Sequence, residues 1–339
     1  MARSAGSQGA VSMADVAARA GVSTATVSRS LRGSAVSSKT RERVLRAAAE
    51  LEYVPSPAAS RLASGRTRSV AVVLPFATRW FFAELLAGVE RVLREASFDV
   101  LLYNIGDPAS RAHFFDALPI RRRVDAVIVV ATHLTSVERQ AFTGLGVPAV
   151  SVGCRLPGAP GVLIEDAEAA ATATRHLLGL GHRHVAMLSG ATADLVGAVT
   201  TRERQAGFRA ALAEAGVEDV CVIEEAWGIA GGERAMERLL AEAILPTAVF
   251  AESDEMAFGA LRMLRRAGIP VPGRMSVVGL DDHEFAAAVD LTTVAQPVAA
   301  QGRAAATAIL DLLTSDRWPR STVMPTRLVV RGSTAPPWE

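Results

Sequence analysis

The chain has 339 residues, half of them apolar, which is enough for two or three domains with sizeable cores. Its two cysteines, Cys154 and Cys221, provide neither a disulfide framework nor a metal-binding spacing, and no apolar run approaches the roughly 18 residues of a membrane span. The N-terminus contains no apolar stretch that fits a signal peptide, so we expect a soluble, cytoplasmic protein.

Positive charge is concentrated at the start of the chain, although the net charge of the whole is only +1. Residues 1–70 contain eleven Lys and Arg against four Asp and Glu, and the remainder contains 25 against 31. A basic head on an acidic body is typical of nucleic-acid binding. Residues 1–10 are rich in Gly, Ser and Ala, and we expect them to be a disordered tail.

Residues 11–55 contain three short helix patterns, each opened by a serine that can cap it. Ser12 and Asp15 fit a capping box, Ser23 and Ser37 open the second and third helices, and Gly21 suits the tight turn between the first two. Helix, glycine turn and helix is the pattern of a helix-turn-helix DNA-binding domain. The apolar positions at helical spacing are Met13, Val16, Ala17 and Ala20, then Val27 and Leu31, then Val44, Leu45, Ala48 and Leu51.

The second helix of such a motif enters the major groove of DNA. Arg29 is long enough to reach a guanine edge with two hydrogen bonds, and the hydroxyls can bond phosphates, as can the helix N-terminus. A plain three-helix bundle with a solvated face is the alternative interpretation. The candidate DNA contacts here are Ser23, Thr24, Ala25, Thr26, Ser28 and Arg29.

Residues 56–66 form a candidate hinge after the helix-turn-helix domain. Pro57 suits the first turn of a helix and Gly65 suits its exit. A helix of about seven residues is not stable alone in water, so we expect this segment to order only when DNA or a partner chain supports it.

These first residues resemble the start of the LacI/GalR (lactose-repressor/galactose-repressor) family of bacterial transcription regulators. The resemblance implies a homodimer, or a tetramer, on a palindromic operator, with paired hinge helices in the minor groove. It places Ala59 and Arg61 at the DNA and Leu62 as a wedge at the central base step, where an ordinary linker leucine is the alternative. The matching motifs are Asp15-Val16-Ala17, Ala20-Gly21-Val22-Ser23, Thr26-Val27-Ser28-Arg29, Thr40-Arg41-Glu42-Arg43-Val44 and Tyr53-Val54-Pro55-Ser56-Pro57-Ala58-Ala59.

From Arg68 onward, strand and helix patterns alternate, beginning with the continuous apolar run 69–74 of a strand buried on both faces. We therefore predict an all-α helix-turn-helix headpiece plus hinge helix, followed by an α/β two-lobed periplasmic-binding-protein-like core over 67–339. The first lobe would contain about 67–164 and 297–331, including a final strand at 326–330, and the second about 165–296. Ligands would bind between the lobes at the carboxyl ends of the strands.

Polar and aromatic side chains that follow the predicted strands are candidate ligand contacts. Such a set suits a sugar, because charged groups and amides bond hydroxyls and a ring packs on the apolar face. The family resemblance supports Arg204 and Asp281 as ligand contacts; a surface helix start and a helix N-cap are the alternatives, and capping is the role we favour for Asp282. The candidates are Phe76, Arg79, Phe81, Phe82, Glu165, Asp166, Arg204, Trp227, Ser253, Asp254, Asp281 and Gln296.

Two positions depart from the common family pattern. Glu165-Asp166 stands where Asp-Asn is usual, and Arg79-Trp80 stands where Asn-Pro is usual. Both changes fall in the predicted cleft, and they favour an anionic ligand such as a sugar acid or sugar phosphate, with Arg79 as its counter-charge.

Motifs of enzymes and cofactor sites are missing from the sequence. Residues 144–149 fit G-x-G-x-x-A by letter but precede a strand, and the six histidines have no metal spacing. We expect no catalytic residue, cofactor or metal. The predicted function is a DNA-binding transcriptional regulator, most simply a repressor, controlled by a sugar-like effector that acts as inducer or corepressor. A stand-alone sugar-binding protein or sugar-active enzyme of the same fold is the alternative.

Overall fold

A computed structural model describes residues 11–31, 36–53, 66–191, 197–315 and 319–338. The chain divides into two compact units, Met1–Arg66 and Thr67–Glu339. The tail expected at 1–10 and the hinge expected at 56–66, apart from Arg66, lie outside the described residues. The predicted DNA contacts Ala59, Arg61 and Leu62 lie outside them with the hinge.

The first unit contains the three predicted helices, α1 (Met13–Ala20), α2 (Thr24–Leu31) and α3 (Ser38–Glu50). The capping box is confirmed, because the backbone N–H of Ser12 donates to the Asp15 carboxylate at 2.8 Å and the N–H of Asp15 donates to the Ser12 hydroxyl at 3.3 Å. Local capping chemistry therefore defines where these short helices begin.

The predicted core of this unit is confirmed except at Leu45, and the buried Ala47 was not predicted. The Leu45 side chain is 45% exposed, because the inner face of α3 is formed by Val44, Ala47 and Ala48, with Leu51 packed against them. These positions follow the i, i+3, i+4, i+7 spacing of one helix face, and Leu45 does not. The buried apolar side chains are Val16, Ala17, Ala20, Val27, Val44, Ala47 and Ala48.

The second unit consists of two α/β lobes, whose described strands form two six-stranded sheets. All pairings in the first sheet are parallel, in the order β11-β5-β4-β3-β1-β2. Its lobe contains β1 (Ser69–Leu74), α4 (Trp80–Glu95), β2 (Asp99–Asn104), α5 (Pro108–Ala117), β3 (Ala126–Val130), α6 (Ser136–Thr143), β4 (Ala149–Val152), β5 (Gly161–Leu163), α11 (Val298–Thr314) and β11 (Thr322–Val323).

The second sheet has the order β12-β10-β9-β8-β6-β7 and is parallel except for the pair β10 and β12. Its strands place their carboxyl ends towards the first lobe, where the chain crosses between lobes. This lobe contains α7 (Asp166–Gly179), β6 (Val185–Gly190), α8 (Ala198–Glu214), β7 (Cys221–Glu225), α9 (Ile229–Leu240), β8 (Ala248–Ala251), α10 (Asp254–Arg266), β9 (Ser276–Asp281), β10 (Thr292–Ala295) and β12 (Arg327–Val329).

The final strand corrects the predicted lobe boundary. We expected residues 326–330 in the first lobe, but β12 pairs antiparallel with β10 in the second sheet. Leu328 packs on the core of that lobe, and the Ser333 carbonyl accepts the N–H of Val277 at 2.8 Å. These contacts between distant segments place the end of the chain in the second lobe. The apolar pattern of a strand does not show which of two sheets the strand joins.

No helix among the described residues is both long and apolar enough to cross a membrane.

Candidate functional site

Helix α2 exposes the side chains that were predicted to read DNA. Ser23 caps it, since its hydroxyl accepts the N–H of Thr26 at 3.2 Å, and Val27 is buried beneath. The Nε of Arg29 donates to the Ala25 carbonyl at 3.3 Å, a single long hydrogen bond. Exposed here are Ser23, Thr24, Ala25 and Arg29, with Thr26 and Ser28 half-buried.

A cleft lies between the two lobes of the second unit, at the carboxyl ends of their strands. It encloses about 720 Å³ of empty space, a figure that includes its opening to solvent. Ten of the twelve predicted ligand contacts line it. They are Phe76, Arg79, Phe81, Phe82, Asp166, Arg204, Trp227, Ser253, Asp281 and Gln296.

The first lobe places its side chains in the cleft through the loop after β1 and the start of α4. The guanidinium carbon of Arg79 stands 3.9 Å from the centre of the Phe76 ring. Phe82 meets Phe76 edge-on, with ring centres 6.1 Å apart, and Phe81 meets Phe82 in the same way at 5.2 Å. This wall of the cleft is therefore mainly aromatic.

The second lobe contributes a buried ion pair. The Arg204 Nε on α8 donates to the carboxylate of Asp166, the first residue of α7, at 2.8 Å, and both side chains are less than a tenth exposed. A further amino group of Arg204 donates to the carbonyl of Glu252. Burial raises the pKa of the Asp166 carboxyl, although Arg204 opposes the shift. Arg204 is thus fixed by the protein before any ligand binds.

Asp281 ends β9 in a backbone conformation that non-glycine residues rarely adopt, with φ of 131°. Gln296 donates to its carboxylate at 2.6 Å, and Gln301 on α11 donates to the Gln296 amide oxygen at 2.8 Å. This amide relay joins the second lobe to the first through the crossover. Burial raises the pKa of the Asp281 carboxyl above its ordinary value, although Arg204 opposes the shift. A strained, buried carboxyl in a cleft is a mark of a functional position.

Two predicted contacts lie elsewhere. Glu165 is exposed and is not part of the cleft lining. Asp254 is fully buried behind the lining, where it accepts the Thr293 hydroxyl at 2.7 Å and the N–H of His283 at 2.8 Å. It therefore holds β8, β9 and β10 together, and its role is structural.

The capping role predicted for Asp282 is also wrong. Its carboxylate pairs with Arg331 at 2.6 Å, because the end of the chain returns to this lobe.

Sequence reasoning missed several lining residues. Glu255, at the start of α10, lies in the cleft close to Ser253, and Gln301 and Thr200 reach it from α11 and α8. Glu255 could have been predicted, because it directly follows Ser253 and Asp254, which were both candidates. The others sit inside helices, and which face of a helix borders a cleft depends on the packing of the two lobes.

Direct contacts also cross the cleft. Trp80 at the start of α4 packs against His283 of the second lobe, with ring centres 4.7 Å apart. Burial lowers the pKa of Arg79, and the attraction of Glu255 across the gap opposes this shift only in part. The Trp80 and His283 rings therefore form a direct packing contact between the lobes.

The lining contains more carboxyl groups than arginines. Asp166, Glu255 and Asp281 share it with Arg204, which is paired with Asp166, and with Arg79, which stacks on Phe76. The buried carboxyl of Glu252 accepts no ligand directly, since it lies outside the lining. Because Arg204 is already paired, an anionic ligand would depend on Arg79 as its counter-charge.

A helix-turn-helix unit followed by a two-lobed core with a ligand-sized cleft defines the class of ligand-responsive DNA-binding regulators. Residues 12–56 match the bacterial regulatory proteins of the lacI family, and residues 174–334 match the periplasmic binding protein-like domain. The HTH-type transcriptional regulator DegA of Bacillus subtilis (strain 168) is 33% identical over 335 residues, covering 95% of this chain and 97% of DegA. The chain therefore belongs to the LacI family of transcriptional regulators.

Two solved structures extend the comparison over the whole chain. The transcriptional regulator CelR in complex with cellobiose is 34% identical, with a TM-score of 0.70, covering 95% of this chain and 99% of CelR. The lac repressor dimer bound to operator and the anti-inducer ONPF is 27% identical, with a TM-score of 0.85, covering 96% of this chain and 99% of the repressor. The predicted family and fold are confirmed.

Proposed function

We propose that this regulator binds a palindromic operator as a homodimer and that a neutral, sugar-like effector in the cleft between its lobes sets the affinity for that operator. The observation that carries the proposal is the lining of the cleft, aromatic on one wall and rich in hydrogen-bonding groups on the other. A sugar needs both, because its ring has apolar faces and its edge has hydroxyls. The cellobiose bound by CelR is a relative's ligand of this kind.

The polar groups suit hydroxyls better than anions. Asp166, Glu255 and Asp281 can accept from hydroxyls, whereas they would repel a phosphate or carboxylate. The indole N–H of Trp227 is buried and finds no hydrogen-bond acceptor among the described residues, and the ring itself lines the cleft as a packing surface. The guanidinium carbon of Arg204 lies 6.0 Å from the centre of the Trp227 ring, so the two side chains are neighbours in the lining of the second lobe.

Calorimetric titration with paired ligands tests this proposal. Neutral mono- and disaccharides, cellobiose among them, would be compared with their uronic acids and phosphates. We expect binding among the neutral members and roughly tenfold or greater weakening for the anionic partner of each, because the lining carboxylates repel it. Binding confined to the anionic members would contradict a neutral effector and would support Arg79 as a counter-charge.

Helix α2 is the proposed reader of the operator, with Arg29 at a base edge and the neighbouring hydroxyls at phosphates. Replacing Arg29 by alanine should cost about 1–3 kcal/mol at one base position. A selection of bound duplexes from a random pool would identify that position. Equal weakening on every sequence would make Arg29 a phosphate contact instead. Leu62 is the proposed wedge, and Leu62→Ala should reduce operator bending in a circular-permutation gel assay.

An exposed apolar face supports self-association. Phe285 and Val289 are 60% and 44% exposed, and they border a groove with Phe258 and Leu261. Exposed apolar patches of this kind mark protein–protein contacts. Sedimentation should therefore find a dimer for the natural protein and monomers for Phe285→Glu. Val137→Glu is the matched control, because Val137 is 73% exposed on α6 of the first lobe.

We propose that the effector leaves the cleft chemically unchanged. Binding changes the angle between the lobes, and the first lobe carries Thr67, where the DNA-binding unit is attached. An effector that moves the two attachment points apart is an inducer, and one that brings them together is a corepressor. By linkage, operator must change effector affinity by the same factor as effector changes operator affinity. Chromatography of the effector after prolonged incubation would reveal turnover, which would instead make the protein an enzyme.

A further inference from the structure

We propose that a second DNA-contact site lies on the core itself, in the arginine loop of residues 118–125. Its three consecutive arginines, Arg121, Arg122 and Arg123, would bind the phosphates of the duplex beside the hinge. This inference rests on the proposed operator complex, because it requires DNA held next to the first lobe.

The loop is built to present these side chains. Ile120 and Val124, which flank the arginines, are 1% and 4% exposed, whereas all three arginines are exposed. The N–H of Arg121 donates to the Leu118 carbonyl at 3.0 Å, and the N–H of Arg123 donates to the Ile120 carbonyl at 3.0 Å. The backbone is thus fixed before binding, which reduces the entropy cost of holding a ligand.

The backbone of the loop takes conformations that non-glycine residues adopt infrequently. Leu118 has φ of 40° and Arg122 has φ of 58°, both in the left-handed region. Glycine or asparagine would fit there with less strain. An arginine at such a position is consistent with selection for its charge and not for the turn.

No acidic side chain among the described residues forms a salt bridge with these three arginines. Exposed arginines elsewhere do have such partners, as Arg94 has Glu90 and Arg175 has Glu168. The nearest acid along the chain, Asp125, accepts instead from the N–H and hydroxyl of Thr67 and from the N–H of Arg68. The positive charge of the loop is therefore not neutralised by its surroundings.

The same hydrogen bonds place the loop beside the attachment of the DNA-binding unit. Asp125 bonds Thr67 directly at 2.7 Å, and Arg123 is two residues from Asp125, so its Cα lies within about 7 Å of it. Thr67 follows Leu62 by five positions along the chain, a span of at most about 18 Å. If Leu62 reaches the central base step, the loop lies within reach of the adjacent phosphates, and the exposed Arg68 adds to the same edge.

An acidic protein surface could offer the same negative charge. We favour DNA because the loop adjoins the residue through which the core is tethered to the DNA-binding unit. Phosphate contacts also have a distinctive measurable consequence. Each neutralised phosphate releases counterions. It therefore makes the decrease of log affinity with log salt concentration steeper by about 0.9, and this magnitude is called the slope below.

The test compares the full-length protein with the Arg121→Ala/Arg122→Ala/Arg123→Ala variant by fluorescence anisotropy on an operator duplex at several salt concentrations. We expect the slope to fall by about 0.9 for each phosphate that the variant no longer neutralises. Affinity should fall on operator and on scrambled duplex alike, because phosphates carry no sequence information. The control replaces Arg202, Arg209 and Arg266, exposed arginines of the second lobe, and should keep the natural slope.

An unchanged slope in the triple variant, with the natural protein binding operator, would overturn the phosphate site. If that variant then failed to bind polyglutamate that the natural protein binds, the loop would be an acidic-protein site. Failure of the natural protein to bind any operator would instead refute the proposed function. Arg122→Gly is a second variant that suits the left-handed backbone, and it should lower the slope by about 0.9 without reducing thermal stability.

Discussion

The two lobes contribute different chemistry to the cleft that they share. The first lobe supplies the rings of Phe76, Phe81 and Phe82, whose packing is weakly directional, and the second supplies Asp166, Arg204 and Asp281, whose hydrogen bonds are directional. We infer that the second lobe selects the effector and that the first lobe, which carries the DNA-binding unit, responds to its presence.

The largest effect on the difference between the lobes is expected when the buried Arg204 of the second lobe is replaced. Arg204→Met leaves the buried Asp166 carboxylate without its partner, so we expect the free energy of unfolding to fall by about 3–5 kcal/mol. Urea unfolding measures this decrease. The first-lobe counterpart Arg79→Met removes a guanidinium that stacks on Phe76, and it should cost only about 1 kcal/mol. Equal decreases would mean that the lobes are not specialised as described.

Selection by the second lobe is tested at Asp281. Asp281→Asn removes a carboxyl acceptor from the cleft and disturbs the relay through Gln296, so effector affinity should fall by about 1–3 kcal/mol, roughly 5- to 150-fold. Operator affinity without effector should not change. Calorimetry and anisotropy measure the two quantities. Asp282→Asn is the control, because that carboxylate pairs with Arg331 outside the lining; the same decrease in effector affinity there would remove Asp281 from its assigned role.

Glu252 gives the second lobe a pH dependence of its own. Burial raises its pKa from 4.5 to about 6 even though Gly190, Thr201 and Ser189 donate to its carboxylate. Between these values the folded state holds the proton more tightly than the unfolded chain. The contribution of Glu252 to stability is therefore complete below pH 4.5 and disappears as the pH rises through 6, a change on the order of 2 kcal/mol.

The Glu252→Gln variant isolates this contribution, because histidines and other carboxyls titrate equally in both proteins. The unfolding free energy of the natural protein relative to Glu252→Gln should decline as the pH rises from below 4.5 to above 6. A difference that is constant with pH would show that the pKa of Glu252 is the same in the folded and unfolded states.

The smallest effect is expected for the contact that joins the lobes. Trp80→Ala removes the ring packed on His283, and an aromatic pair contributes about 0.5–1.5 kcal/mol. Effector affinity should fall about 2- to 10-fold, because this packing stabilises the lobe orientation that forms the cleft. Trp80→Phe should restore most of it in the same titration. An alanine variant that binds effector normally would mean that the Trp80 ring does not stabilise this orientation.

The features that could be predicted from the sequence are those that depend on contacts between residues close together in the chain. Caps such as Ser12 with Asp15 join residues three apart, and they were identified correctly from the sequence. Leu45 was placed wrongly because it neighbours a correct core position but falls off the face centred on Val44, Ala47 and Ala48. The helix itself was predicted correctly, and only the side of the helix on which Leu45 lies was wrong.

The cleft was predicted well where it depends on strand ends. Residues that follow parallel strands meet at one edge of a sheet, and this rule located Phe76, Trp227, Ser253 and Asp281. The rule failed at Asp254, which follows Ser253 in the chain. Its carboxylate points away from the cleft and accepts hydrogen bonds from the Thr293 hydroxyl and the His283 N–H. Adjacent residues after a strand alternate between the cleft and the interior, and their side-chain partners come from distant segments.

The sequence by itself determined the family, the three helices of the DNA-binding unit and the alternation of strands and helices, because capping, periodicity and short motifs act over a few residues. Only the tertiary structure decided that the last strand belongs to the second sheet, that Glu255 and Gln301 border the cleft while Glu165 does not, and that Arg204 is already paired. Each of these depends on contacts between segments far apart in the chain, where the local pattern is the same for either outcome.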